Sequence, residues 1–173
     1  MILGLDASTS FVGLTLLDDC GKIVKCECLD LRKIEGEYEK LEKLAEKLKE
    51  LNLQHDTPVF IEEALMMFQN NRSMASVISK LQRWNGMVCG LLFNTYKIKT
   101  ETIGVLTARK SLDIKVKRGE NAKEIVLKKL VDSVPEFGVE YTPKGNPKQG
   151  TYDRADSYVI AYAGYLSCMK KKD

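Results

Sequence analysis

The sequence predicts an α/β fold in which a mixed sheet carries helices on its faces. Three observations lead there. Short apolar runs separated by turn residues open the chain, helical periodicity begins only near residue 35, and strands then alternate with helices. A hairpin-connected meander followed by strand–helix–strand units implies a sheet that is antiparallel at its start and mixed as a whole.

Each element has its own signal. "MILGLD" is an apolar run that reads as a buried strand ending at Asp6. "FVGLTLLD" and "KIVKCECLDL" are joined through Asp–Cys–Gly, a tight turn that makes them an antiparallel hairpin. From Glu35 to Leu51 the period changes. Tyr38, Leu41, Leu44, Ala45, Leu48 and Leu51 share one face, and Glu and Lys fill the other, with pairs such as Glu39–Lys43 in support. "DTPVFIEEAL" supplies a proline-initiated buried strand, Val59 to Glu62. Asn70 or Asn71 is placed to cap the next helix, which carries Met74, Val77, Ile78, Leu81, Trp84, Val88, Leu91 and Leu92. "KIKTETI" is the fifth strand. Basic helices over 104–112 and 120–133 flank "DIKVKRGE", and a Pro/Gly-rich loop, "PEFGVEYTPKGNPKQG", leads to a terminal helix from about Asp153 to Met169. No repeat, low-complexity tract or domain boundary is visible, so residues 1–173 read as a single domain.

Composition narrows the function classes. Hydrophobic residues make up 44% and charged residues 29%, ordinary for a globular protein. The five cysteines are an odd set without zinc-knuckle spacing, which suits structural thiols in a reducing, cytoplasmic setting. The start, "MILGLD", has no export signature, and no apolar stretch is long enough for a bilayer, so neither secretion nor a membrane is expected. The single histidine, His55, lies in a polar turn. Acid–base chemistry must therefore come from carboxylates or metal-bound water. The net charge is only +3, yet ten basic residues stand against four acids between Lys97 and Lys129. That concentration suits a phosphate-backbone binder, and equally a solvated helix face.

The acids stand out by position. Asp6 ends one apolar strand, Glu62 and Glu63 end another, and Asp153 and Asp156 sit three apart on one face of the terminal helix. Each has a plain explanation alone: Asp6 as a turn starter with Ser8 and Thr9, Glu62 or Glu63 as a solvated strand end, Asp153 as a complement to the helix dipole. Together they suggest a shared cation, because ionised carboxylates are rarely buried without a partner. Oxygen-only ligands suit magnesium or manganese, not zinc.

"ILGLDASTSFVG", "VFIEEALMM" and "YDRADSYVIAYAGY", in that order and spacing, resemble RuvC-type Holliday-junction resolvases, which belong to the ribonuclease-H-like nucleases. The resemblance runs the length of the chain. It implies a five-stranded mixed sheet, antiparallel over strands 1–3 and parallel over strands 4–5, flanked by helices. It also implies a catalytic, metal-holding set of Asp6, Glu62, Asp153 and Asp156. Glu62 is favoured because it directly follows Ile61, and alternation sends Glu63, the reserve candidate, to the opposite side.

The implied activity is crossover junction endodeoxyribonuclease: paired nicks in four-way or other branched DNA, dependent on two Mg2+ ions with Mn2+ as a substitute, leaving 5′-phosphate and 3′-hydroxyl ends. Arg109, Lys110, Lys115, Lys117, Arg118 and Lys123 are the expected phosphate contacts; Lys80 and Arg83 are weaker candidates that also suit a solvated face. Thr9 and Ser10 suit either a phosphate contact or a turn. The family works as a homodimer, for which the helix bearing Gly86 and Gly90 is the expected contact, although packing within one chain explains the same pattern. The family places a junction-wedging aromatic where this chain has Leu65, with Phe68 three residues on as the alternative. The many lysines suggest a phage or viral version. Competing readings are a nuclease for RNA or RNA–DNA hybrids, a non-catalytic branched-DNA binder, and a nucleotide-binding module of the actin and sugar-kinase class. The last needs two lobes where this chain has room for one, so no nucleotide cofactor is expected.

Overall fold

The structure is a computed structural model that describes residues 1–63 and 72–171, with the side chains of 72–74 excepted. Strands β1 (Ile2–Ala7), β2 (Phe11–Leu17) and β3 (Ile23–Asp30) form the meander, and α1 (Glu37–Lys49) follows. Then come β4 (Val59–Glu62), α2 (Arg72–Tyr96), β5 (Glu101–Ile103), α3 (Val105–Lys110), α4 (Ala122–Ser133) and α5 (Thr151–Lys170). The sheet order is β3-β2-β1-β4-β5. β1 pairs antiparallel with β2 and β2 with β3, whereas β4 runs parallel to β1 and β5 parallel to β4. The expected mixed five-stranded sheet is therefore present, its central strands β1 and β4 buried on both sides as parallel neighbours in α/β sheets are.

Alternation divides the sheet into two faces. Leu3, Leu5, Val12, Leu14, Val59 and Ile61 join Leu44 and Leu48 of α1 and Trp84, Val88 and Leu92 of α2 in one core. The other face carries α5. There Phe60 packs with Ile2 and Ile160, and Leu17 joins Ala155, Tyr158 and Val159. α4 closes the outside of α5 through Val126, Leu127 and Leu130.

Several expectations are corrected. β5 spans only Glu101–Ile103: its register sets Glu101 beside Phe60, so residues 97–99 would fall opposite residues 56–58, ahead of the start of β4 at Val59. α5 begins at Thr151 behind Gly150 at φ 82°, which places Asp153 inside the first turn. Tyr38 is 76% and Val77 55% exposed, so each lies off the buried stripe of its helix. Lys43 pairs with Glu46 at 2.7 Å, not with Glu39. Asn121, just inside the anticipated start of α4, caps it by accepting the Lys123 N–H. The expectations on Leu65, Phe68, Asn70, Asn71 and the Met74 side chain fall outside the described residues.

Candidate active site

The strand acids meet by register. Leu5 of β1 stands beside Ile61 of β4, so Asp6 and Glu62 are the next residues on two adjacent parallel strands. Both side chains take the α5 face: Gly4 and Phe60, two residues earlier, touch Ala161 and Gly164 of α5. Across β2, Asp6 pairs with Gly13 and Gly13 with Cys28. Gly13 lies against the main chain of Asp153; a Cβ there would sit 2.6 Å from the Asp153 carbonyl carbon. The first turn of α5 thus rests on the sheet beside Asp6, and Asp156, one turn on, shares the Asp153 face.

Electrostatics report the same convergence. Burial pushes the Asp6 carboxyl well above the usual aspartate range, and Glu62, Asp156 and Asp153 push it further, against a smaller pull from Lys123. Burial raises Glu62, with Asp156 adding and Arg109 and Lys123 opposing. Asp156 is raised by burial over the opposing pull of Lys123 and Arg109, with Asp153 adding. The Cys28 thiol, pushed up to about 12, feels burial first and then Asp153 and Asp6. All four expected acids therefore share one field, while Glu63 is exposed and contributes to none of these shifts.

No three Asp, Glu, His or Cys side chains among the described residues stand close enough to form a ready cage for an ion. The acids are gathered into one field without being closed into ligand geometry. Their chemistry fits a hard divalent cation: all donors are carboxylate oxygens, and burial of their anions is only partly offset by Arg109 and Lys123.

A cavity of about 140 Å³ opens beside the strand ends, lined by Asp6, Ala7, Ser8, Glu62, Glu63, Ile78, Leu81 and Asn85. Asn85 of α2 donates from Nδ2 to the Glu62 carbonyl at 3.1 Å, fixing the end of β4. Ser8 makes the turn after β1, its hydroxyl donating to the Phe11 carbonyl at 2.8 Å and accepting the Phe11 N–H at 3.0 Å. The Thr9 carbonyl accepts from Lys40 at 2.7 Å. Thr9 and Ser10 both stand in this turn, the Ser10 N–H donating to the Ser8 hydroxyl at 3.4 Å.

Of the expected phosphate contacts, Arg109 and Lys123 face the acids, and Lys115, Lys117 and Arg118 are exposed on the loop before α4, with Lys110 exposed at the end of α3. None takes part in an ion pair among the described residues. Arg83 differs: it pairs with Glu37, and the solvated-face reading holds for it. Gly86 and Gly90 face open space, with nothing within 4 Å of a Cβ at either, so packing within the described chain does not explain them. Sequence reasoning missed Gly13, Thr15 and Ser157. A glycine inside the apolar strand "FVGLTLL" was the available signal, since glycine weakens a strand unless something approaches closely.

This sheet order, strand polarity and terminal helix are those of the ribonuclease-H-like fold in the arrangement seen in RuvC structures. The comparison structures are "T. thermophilus RuvC in complex with Holliday junction substrate", which matches with a TM-score of 0.61 at 15% identity over 97% of this chain and 94% of that one, and "Thermus thermophilus RuvC structure", with a TM-score of 0.62 at 18% identity over 98% and 96%. No family model and no curated protein matches the sequence. No helix among the described residues is long and apolar enough to cross a membrane.

Proposed function

We propose that the chain is a structure-selective endodeoxyribonuclease that cuts four-way junctions, and related branched DNA, by paired nicks leaving 5′-phosphate and 3′-hydroxyl ends. The observation that carries this is the shared field of Asp6, Glu62, Asp153 and Asp156 at the C-terminal ends of the central strands of a RuvC-like sheet. These four would hold two Mg2+ ions, or Mn2+ in their place, as the catalytic set. When bound, the ions supply an activated water and a Lewis acid for the leaving oxygen. The rest falls to the protein. Burial and mutual repulsion keep the carboxylates avid for divalent charge, and Arg109 and Lys123 offset part of it while offering cations to the scissile phosphate. Glu62 is preferred to Glu63 because it shares the α5 face with Asp6.

Lys110, Lys115, Lys117 and Arg118 would track the backbone, giving affinity without sequence discrimination. Two copies would meet through α2, whose Gly86 and Gly90 face open space, and present two acid clusters to opposed strands of one junction. We place this activity in a single domain spanning the chain, working in a reducing cytoplasm, in a phage-type member of the family.

The test offers purified protein a mobile four-way DNA junction, linear duplex and an RNA–DNA hybrid, with and without Mg2+. Paired junction nicks that need Mg2+ and vanish in Asp156→Asn, with junction binding retained, are expected. Cleavage of the hybrid alone would replace the proposal with a ribonuclease, and Mg2+-independent binding without cleavage would replace it with a branched-DNA binder.

A further inference from the structure

The terminal helix approaches the sheet more closely than side chains allow, and glycines make this possible. A Cβ at Gly4 would lie 2.5 Å from the Ser157 carbonyl oxygen and 2.6 Å from the Ala161 Cα. One at Gly13 would meet the main chain of Asp153, 2.6 Å from its carbonyl carbon, and lie 3.0 Å from the Ser157 Cβ. Neither glycine has a positive φ, so the backbone itself accepts any residue there. Glycine is required for proximity alone.

Between them, on the same face, Thr15 ties the helix down: its Oγ1 and the Ser157 Oγ share a hydrogen bond at 2.8 Å, both residues being fully buried. Ser157 also donates to the Arg154 carbonyl at 2.8 Å. Gly13, the strand partner of Asp6, and the Thr15–Ser157 bond thus bracket the turn that carries Asp153 and Asp156.

We infer that Gly13, seconded by the Thr15–Ser157 hydrogen bond, is a positioning residue for the acid cluster: the empty side-chain position sets the separation of Asp6 from Asp153 and Asp156, and with it the affinity for divalent ions. This rests on the metal-binding reading proposed above. A methyl group at residue 13 strikes main chain, which cannot swing aside as a side-chain tip can. The first turn of α5 must lift, carrying both helix acids away from Asp6. Gly164 provides a control for loss of stability at this interface, its obstacle being a buried side chain and not main chain. It lies on the same helix–sheet interface, where a Cβ would sit 2.5 Å from the Phe60 Cε2, but two turns beyond Asp156.

The experiment is a Mn2+ titration followed by electron paramagnetic resonance, together with metal-free thermal unfolding, for the unmodified protein, Gly13→Ala, Gly164→Ala and Thr15→Val. Gly13→Ala is expected to weaken Mn2+ binding roughly 10-fold or more, the scale on which supports of metal ligands act. Gly164→Ala is expected to lose stability while binding Mn2+ as the unmodified protein does. Thr15→Val, which keeps the side-chain shape, shows a smaller loss in the same direction and decides the matter if Gly13→Ala does not fold. Unchanged affinity in Gly13→Ala, equal losses in Gly13→Ala and Gly164→Ala, or an unaffected Thr15→Val where that variant decides, would each overturn the inference. A failure of the unmodified protein to bind Mn2+ would instead remove the metal-binding reading on which it rests.

Discussion

Replacing Asp6 with Asn removes the charge at the centre of the cluster and keeps the size of the side chain. Burial and three neighbouring carboxylates all disfavour the Asp6 anion, and among the described residues Lys123 opposes them. The substitution is therefore expected to stabilise the metal-free protein by about 1–3 kcal/mol, the range for relieving an uncompensated buried group. For a chain of 173 residues, each kcal/mol moves Tm by about 2–4 °C, so a rise of several degrees is expected. The sign follows from proton linkage. The native carboxyl holds its proton to higher pH than the unfolded one, so stability is full below the ordinary aspartate range and is lost as pH rises through the raised native value. The advantage of Asp6→Asn should therefore be largest near neutral pH and close as pH falls toward 3.8, the ordinary aspartate value. Thermal unfolding in chelator across that range reads it out. Saturating Mg2+ should close or reverse the gap, because a ligand at a hundred times its Kd stabilises the unmodified protein by about 2.7 kcal/mol. A metal-free Asp6→Asn protein less stable than its parent near neutral pH, or equal Mg2+ stabilisation of both, would refute the reasoning.

The remaining expectations separate the elements of the site. Glu62→Gln should lower junction cleavage by ~100-fold or more, beyond what loss of an outer support costs, whereas Glu63→Gln should stay near the unmodified rate in the same assay. Removing Lys115, Lys117 and Arg118 together should flatten the dependence of log affinity on log salt by about 0.9 for each phosphate left without its cation, with little change in metal-free Tm. Trp84 is fully buried between α2 and the sheet, and Trp84→Ala should cost about 3–5 kcal/mol in chemical denaturation.

Much of this arrangement was legible because its signals are local. Strand ends after "MILGL" and "VFI" put Asp6 and Glu62 at the same end of the sheet, and the three-residue spacing put Asp153 and Asp156 on one helix face. What was not legible depends on contacts distant in sequence. A glycine at residue 13 signals that something comes close, but nothing near it in the chain reveals that this is Asp153, or that the hydroxyls of Thr15 and Ser157 will meet 142 residues apart. The shortness of β5 follows from its register, with Glu101 beside Phe60 on a β4 that begins only at Val59, a limit that "KIKTETI" itself does not show. Tyr38 and Val77 were misplaced for a related reason: a hydrophobic stripe shows that a helix has a buried face, not where the surface it packs on stops. Arg109 and Lys123 were recognised as basic, but their place beside the acids follows from how α3 and α4 pack around α5.

The most direct test of the acid cluster as a divalent-ion site is anomalous diffraction from crystals grown with Mn2+. Strong peaks held by oxygens of Asp6, Glu62, Asp153 and Asp156, and absent from Asp6→Asn crystals, are expected. A fully ordered cluster with no anomalous density near Asp6, or Mn2+ bound only elsewhere on the surface, would contradict it.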